Sequence, residues 1–223
     1  MVELFDIEKL DEEQVIKLQE DCALTGLYMM GHYVLDYPWI ITQVCPYEHR
    51  VIADVGGGLG VLQYTLAQTG HDVWNFDRIA YIKKLDNVTE NLYFMQGDLG
   101  NEDFFKYTPN SHSMLGRFDY VISCSAIEHN LPAHVNETIK NMKRLMKPKG
   151  KMILTLPFAK KLIVTDNMIY FDKNYIELLA KQNGLKIVGP DNWNDFDVLY
   201  NKFKKSFNFE DNFIAGGVVL ENE

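Results

Sequence analysis

Cysteine is scarce: Cys22, Cys45 and Cys124 are the only three in 223 residues, too few and too far apart for a disulfide framework or a paired-cysteine zinc site. Reduced thiols are expected. No apolar run approaches the roughly 18 residues that a membrane-crossing helix needs. The segment from Met1 to Asp21 is acidic and helix-like, unlike a basic leader with an apolar core. A cytoplasmic chain with no membrane partner is the expectation. Basic residues are outnumbered, 22 Lys and Arg against 31 Asp and Glu for a net charge of −9. Such a surface offers no general attraction to a phosphate backbone, so no nucleic-acid partner is expected. Internal repeats and low-complexity linkers are missing as well. With 47% hydrophobic and 24% charged residues, the composition excludes disorder as the main state, and the length fits one domain.

What is present is an alternation of short apolar runs with amphipathic stretches. Strands are predicted over 51–55, 72–77, 92–95, 118–123, 151–156, 185–188 and 213–220, the fifth stopping at Pro157. Helices are predicted over 6–21, 61–68, 136–146 and 174–182, the last capped by Asn183-Gly184. Pro38 should end or kink any helix in the aromatic segment 24–44. Strands alternating with helices imply a doubly wound, Rossmann-like α/β fold. It should hold a seven-stranded, mostly parallel sheet with helices on both faces, an antiparallel last strand and an N-terminal helical cap. One domain over 1–223 is expected, divided into a cap (1–48), a core (49–157) and an acceptor-side insertion with the final strands (158–223). Ligands of such folds sit at the strand carboxyl ends, where Asp54, Asp77, Asp98 and the group beginning at Ser123 all fall.

After the first of these core strands the chain reads Asp54-Val55-Gly56-Gly57-Gly58-Leu59-Gly60. Closely spaced glycines let the backbone turn sharply and approach a ligand with no Cβ in the way. A dinucleotide fingerprint beginning at Gly56 would require glycine where Val61 stands, so that pattern fails. The acid followed by alternate glycines resembles the first motif of class I S-adenosylmethionine-dependent methyltransferases. Further matches follow in order: Asp77 at the second strand end, Gly97-Asp98-Leu99, Phe118-Asp119-Tyr120-Val121-Ile122-Ser123, and the stretch from Leu145 through Pro148-Lys149-Gly150 to Leu154. The resemblance implies S-adenosyl-L-methionine as cofactor, with Asp77 on both ribose hydroxyls, Asp98 on the adenine amine, and the glycine loop and Asp54 near the methionine part. Arg78, Leu99, Ser123 and Cys124 complete the expected cofactor site. Arg78 also supports an alternative, since it suits a 2′-phosphate: an NAD(P)-dependent oxidoreductase or a noncatalytic nucleotide-binding module.

Beyond the fourth core strand, Ile127-Glu128-His129 resembles the small-molecule branch of that family. His129 is the candidate general base, with Glu128 beside it. Some relatives bind a metal through Glu-x-x-Glu-His, but Ser125 replaces the first glutamate, so no metal is expected. Asn/Asp-Pro-Pro-Tyr, a signature of nucleobase and glutamine methylation, is absent, which points to a small-molecule acceptor. The expected reaction places the methyl on O or N of a sugar, a lipid or quinone precursor, or a natural-product intermediate. His32, Tyr33 and Tyr37 are the candidate acceptor-binding residues, and a monomer or homodimer is expected. Tyr28, Tyr33, Tyr37 and Trp39, together with the aromatics from Tyr170 to Phe209, suggest a lid closing over the site, and Lys202, Lys204 and Lys205 an anionic acceptor.

Overall fold

The computed structural model describes residues 2–29, 31–44, 47–79, 89–207 and 213–222. The chain opens with strand β1 (Glu3–Leu4), and a single turn at Ile7–Lys9 separates it from helix α1 (Glu12–Thr25). The amphipathic pattern predicted over 6–21 is thus broken where Asp11 caps α1, its carboxylate accepting the Gln14 amide at 2.9 Å. Helix α2 (Tyr33–Gln43) runs on through Pro38, so the proline does not end it; it forgoes one amide bond to the preceding turn. Strand β2 (Val51–Val55), helix α3 (Leu62–Gln68), β3 (Asp72–Asp77) and β4 (Leu92–Gln96) follow as read from the sequence.

After the short α4 (Phe104–Tyr107) come β5 (Phe118–Cys124), α5 (Pro132–Leu145) and β6 (Met146–Phe158). The last starts earlier than predicted and continues through Pro157. Its carbonyl accepts from Phe171 rather than from β5, which has ended at Cys124, so the missing amide removes no ladder bond. The hairpin β7 (Ile163–Val164) and β8 (Ile169–Tyr170) stands apart as its own two-stranded sheet. Helix α6 (Lys173–Gln182), β9 (Leu185–Val188), α7 (Phe196–Phe207) and β10 (Ile214–Asn222) close the chain.

The main sheet runs β1-β10-β6-β5-β2-β3-β4, with β9 also on β10. Among the described residues it has eight strands, one more than predicted, because Glu3 and Leu4 pair with Gly217 and Gly216. The block from β6 to β4 is parallel; β10 is antiparallel to β6. Side chains alternate between two cores as the strand period of two requires. Ile52, Val73, Ile122 and Ile153 face α1, α2 and α3 through Leu18, Tyr37, Ile40 and Leu62. Ala53, Val121, Met152 and Leu154 face α5, α6 and α7 through Ile139, Met142, Ile176 and Phe203. Both faces are covered, so the carboxyl ends of β2 to β5 are the edge where backbone and polar side chains converge.

Candidate active site

The glycine loop leaves β2 with Gly56 and Gly58 in the left-handed region, at φ 76° and 53°. Gly58 is held from three sides: its amide donates to Asp77 Oδ2 at 3.1 Å, and its carbonyl accepts from Asn75 Nδ2 at 2.9 Å and Gln63 Nε2 at 3.0 Å. Tyr28 ties the far side, donating to the Leu59 carbonyl and accepting from the Val61 amide. A Cβ on Gly57 would lie 2.3 Å from Asp54 Oδ2, so the loop closes down on that buried carboxylate. Burial, then the nearby charge of Asp77, pushes the Asp54 carboxyl up to about 7, and its Oδ1 has no hydrogen-bond partner.

Asp77 ends β3 and accepts a second backbone amide, Ile79, through Oδ1 at 2.8 Å. Asp98 follows β4, its Oδ1 accepting the Gly100 amide at 2.8 Å. Leu99 is buried beneath, its carbonyl taking a bond from the fully buried Asn141. At the end of β5 the Ser123 hydroxyl donates to the Val55 carbonyl at 2.9 Å, locking that strand to the one carrying the loop. Cys124 receives the Thr155 hydroxyl at 3.3 Å, and burial pushes its thiol well up. Ser125 then adopts φ 44°, a left-handed conformation rare outside glycine.

Ser125 meets α2. Its hydroxyl donates to Asp36 Oδ2 at 3.3 Å and lies 3.3 Å from His32 Nε2, which is 3.4 Å from the same carboxylate oxygen. Burial lowers His32 to about 4 and lifts Asp36 well above the carboxylate range. Tyr33 stacks on Tyr37 with ring centroids 5.1 Å apart. Glu128 is buried, which pushes it up to about 8, and its Oε2 has no hydrogen-bond partner. His129 is exposed, with Nδ1 3.4 Å from the Asn167 carbonyl.

These elements enclose a cavity of about 270 Å³, close to the small end of the ligand-pocket range. Gly56, Gly58, Asp77, Arg78, Asp98 and Leu99 line it, as do Ser123, Tyr33 and His129. Asp54, Gly57, Gly60, Cys124 and Tyr37 line a smaller adjoining cavity of about 40 Å³, which shares Tyr28, Tyr33, Gly56 and Ser125 with the first. Glu128 and His32 line neither, although His32 touches Ser125, which lines both.

The sequence reading missed Tyr28, Asn75, Gln63, Ser125 and Asp36. Asp36 carried a signal, one acid in the otherwise apolar run from Val34 to Ile41. The expected lid is different in kind: Phe171, Phe196 and Phe203 are buried in the main core, with Tyr170, Tyr175, Trp193, Tyr200 and Phe207 packed against it, while Phe209 lies outside the described residues. Of the lysine cluster, Lys202 pairs with Glu8 at 2.6 Å and Asp6 at 3.5 Å, and Lys204 lies over the Tyr200 ring. Among the described residues, no group of three His, Cys, Asp or Glu could hold a metal ion, and no helix is long and apolar enough to cross a membrane.

The fold is shared with solved structures of low sequence identity. Phosphoethanolamine N-methyltransferase 2 of Haemonchus contortus, in complex with S-adenosyl-L-methionine, matches with a TM-score of 0.62 at 14% identity, over 95% of this chain and 57% of that one. The chain thus spans little more than half of that protein. The 1,6-didemethyltoxoflavin-N1-methyltransferase of Burkholderia thailandensis, bound to its acceptor and S-adenosylhomocysteine, gives 0.57 at 12% identity over 99% and 94% of the two chains. The PH0226 protein of Pyrococcus horikoshii OT3 gives 0.58 at 18% over 99% and 95%. No curated protein matches the chain. A family model described as a methyltransferase domain matches residues 42–189, from the end of α2 to just past β9. With more than half of its length matched, the protein belongs to the methyltransferase domain family, in agreement with its sequence resemblance to the class I S-adenosylmethionine-dependent members.

Proposed function

We propose that the protein transfers a methyl group from S-adenosyl-L-methionine to an O or N atom of a small-molecule metabolite: a sugar, a lipid or quinone precursor, or a natural-product intermediate. The observation that carries this reading is the state of Asp77. An ionised carboxylate has about four acceptor sites; the Gly58 and Ile79 amides occupy two, and two remain on a side chain that lines the cavity. That number suits the two hydroxyls of a ribose. Asp98, on the same wall, suits the exocyclic amine of adenine. The loop places backbone without side chains against the cavity, and the unpartnered Asp54 Oδ1 beneath it suits the ammonium of the methionine part.

When bound, the cofactor supplies a methyl group already activated on a sulfonium. What the chain adds is alignment and exclusion of water. Arg78, Leu99, Ser123 and Cys124 complete the cofactor side, Tyr33 and His129 meet the acceptor at the mouth, and Tyr37 backs Tyr33. Glu128, carrying its proton below about pH 8, shapes the turn beneath His129. The small-molecule class is supported by the net charge of −9. Neighbours of the same fold named for methylating phosphoethanolamine and 1,6-didemethyltoxoflavin support it too.

Arg78 at the cavity sustains the second reading, an NADP-dependent oxidoreductase or a nucleotide-binding module. Calorimetric titration with S-adenosyl-L-methionine, S-adenosylhomocysteine and NADPH separates the two: the first two bind under the methyl-transfer reading, and binding of NADPH alone removes it. A screen of phosphosugars, quinol precursors and amino-acid derivatives for release of S-adenosylhomocysteine then identifies the acceptor.

A further inference from the structure

Asp36 is a buried carboxyl that lines neither cavity. It is fully buried, its Oδ1 has no hydrogen-bond partner, and it interrupts the apolar run of α2. An unpaired carboxylate in such a place is costly unless a cation or several donors face it. The groups that face it among the described residues supply no fixed cation. From its own helix come His32, neutral near pH 7, Tyr33 and Tyr37; from the ends of β5 and β6 come Ser125, Cys124 and Thr155; from the following turn comes Glu128. The Ser125 and Thr155 hydroxyls both bond the carboxyl, and Ser125, which donates to Oδ2, is itself held at φ 44°. Strain of this kind in a residue other than glycine persists where the surroundings fix it, and it gathers at functional sites. Ser125 also lines both cavities, so it lies between the carboxyl and the acceptor space.

We propose that Asp36, reached through the Ser125 hydroxyl, receives the proton that the methyl acceptor gives up, with His32 holding the two in register. The proposal rests on the methyl-transfer reading and narrows it: the O or N acceptor carries a proton, as an alcohol, phenol or primary or secondary amine. Atoms and charges balance without any further reactant. The acceptor's O–H or N–H bond breaks, its proton passes to Ser125 Oγ as the serine proton passes to Asp36 Oδ2, and the pair left on the acceptor bonds the methyl carbon while the C–S pair stays on sulfur. Burial favours the protonated Asp36 carboxyl until cofactor binds; the positive charge that the cofactor's sulfonium or the ammonium of an analogue would bring to the site would release that proton, leaving the ionised form that takes the acceptor's proton. His129, exposed at the mouth, then binds the acceptor without taking its proton.

The test uses sinefungin, an analogue of S-adenosylhomocysteine with a carbon bearing an amine in place of sulfur, which puts an N–H donor where the methyl group would be. Calorimetry in buffers of different ionisation enthalpy gives both affinity and protons exchanged, for the intact protein and for Asp36→Asn and Ser125→Gly. The glycine variant removes the hydroxyl and relieves the strain, so it folds at least as well as the parent; the asparagine variant keeps the shape. The proposal expects sinefungin, unlike S-adenosylhomocysteine, to displace about one proton from the parent protein. It also expects the preference for sinefungin over S-adenosylhomocysteine to fall about tenfold or more in both variants, the loss expected for a hydrogen bond to a charged group, with the proton release gone in Asp36→Asn. An unchanged preference and proton count in variants that still bind S-adenosylhomocysteine would overturn it and leave methyl transfer standing. Failure of the parent protein to bind S-adenosylhomocysteine at all would overturn the methyl-transfer reading itself.

Discussion

Substituting Gly57 by alanine puts the loop geometry under direct test. The added Cβ would fall 2.3 Å from Asp54 Oδ2, 2.7 Å from its Cγ and 3.2 Å from Asn75 Oδ1. Neither neighbour can yield easily: Asp54 is buried within β2, and Asn75 is pinned to the Gly58 carbonyl. The loop must therefore lift, pulling the Gly58 amide away from Asp77. Overpacking of this kind costs about 1–3 kcal/mol, and at about 2–4 °C per kcal/mol for a chain of this size the melting temperature should fall by roughly 2–12 °C. Binding of S-adenosylhomocysteine should weaken with it. Gly58→Ala is the comparison that separates collision from strain, because its Cβ meets only the Tyr28 hydroxyl at 3.6 Å and its cost is that of φ 53° alone, about 1–2 kcal/mol. Asp54→Ala removes the colliding atoms, so combined with Gly57→Ala it should recover about 0.5–3 kcal/mol relative to the sum of the single changes. Thermal unfolding near pH 5, where the Asp54 carboxyl is protonated, measures the parent and the four variants. If Gly57→Ala melts with the parent and binds as well, or if the double variant shows no coupling, the collision is not real.

Two further outcomes follow from the same carboxylates. Asp54 is held up to about 7 in the folded chain against about 3.9 when unfolded, so its stabilising contribution is full below about pH 4 and lost as pH rises through 7. Asp54→Asn should therefore melt above the parent at pH 8, by up to about 4 kcal/mol, with that advantage gone at pH 4; parallel melting curves across the range would count against a buried, protonated Asp54. Asp77→Asn removes a charge that two backbone amides and the ribose would share, and at about 1.5–3 kcal/mol for a hydrogen bond to a charged group the affinity for S-adenosyl-L-methionine should drop roughly 10- to 150-fold by calorimetry. Undiminished affinity would take Asp77 out of the site.

The cofactor half was readable because each of its parts is local. A strand end and the two or three residues after it decide whether backbone turns, which amides are exposed and where an acid stands, and the topology then gathers those ends along one edge. Val51–Val55, Asp72–Asp77 and Leu92–Gln96 have the boundaries that their apolar runs suggested, to within a residue. Pro157 misled because a proline's effect depends on whether a neighbouring strand needs its amide, and β5 had already ended. Pro38 does not end α2 because packing of Leu35, Tyr37 and Ile40 against the sheet offsets one lost helical bond.

The acceptor half resists such reading because its chemistry is assembled across sequence separation. The contact of Ser125 with Asp36 spans 89 residues and that of Lys202 with Glu8 spans 194, so neither pairing leaves a spacing to recognise. Composition suggested a lid and an anion site in the last third of the chain, yet the aromatics pack the core and Lys202 pairs with the N-terminal acids. A residue's usefulness as a signal then depends on how badly it fits its own element. Asp36 in an apolar helix and Ser125 at a glycine-like dihedral both fit poorly, each is supported by the other, and they meet at the wall of the cavity lined by Asp77 and Asp98. Two local misfits that relieve one another across the fold are harder to attribute to packing than either alone, which is why the acceptor's proton is placed there and not on the better-solvated His129.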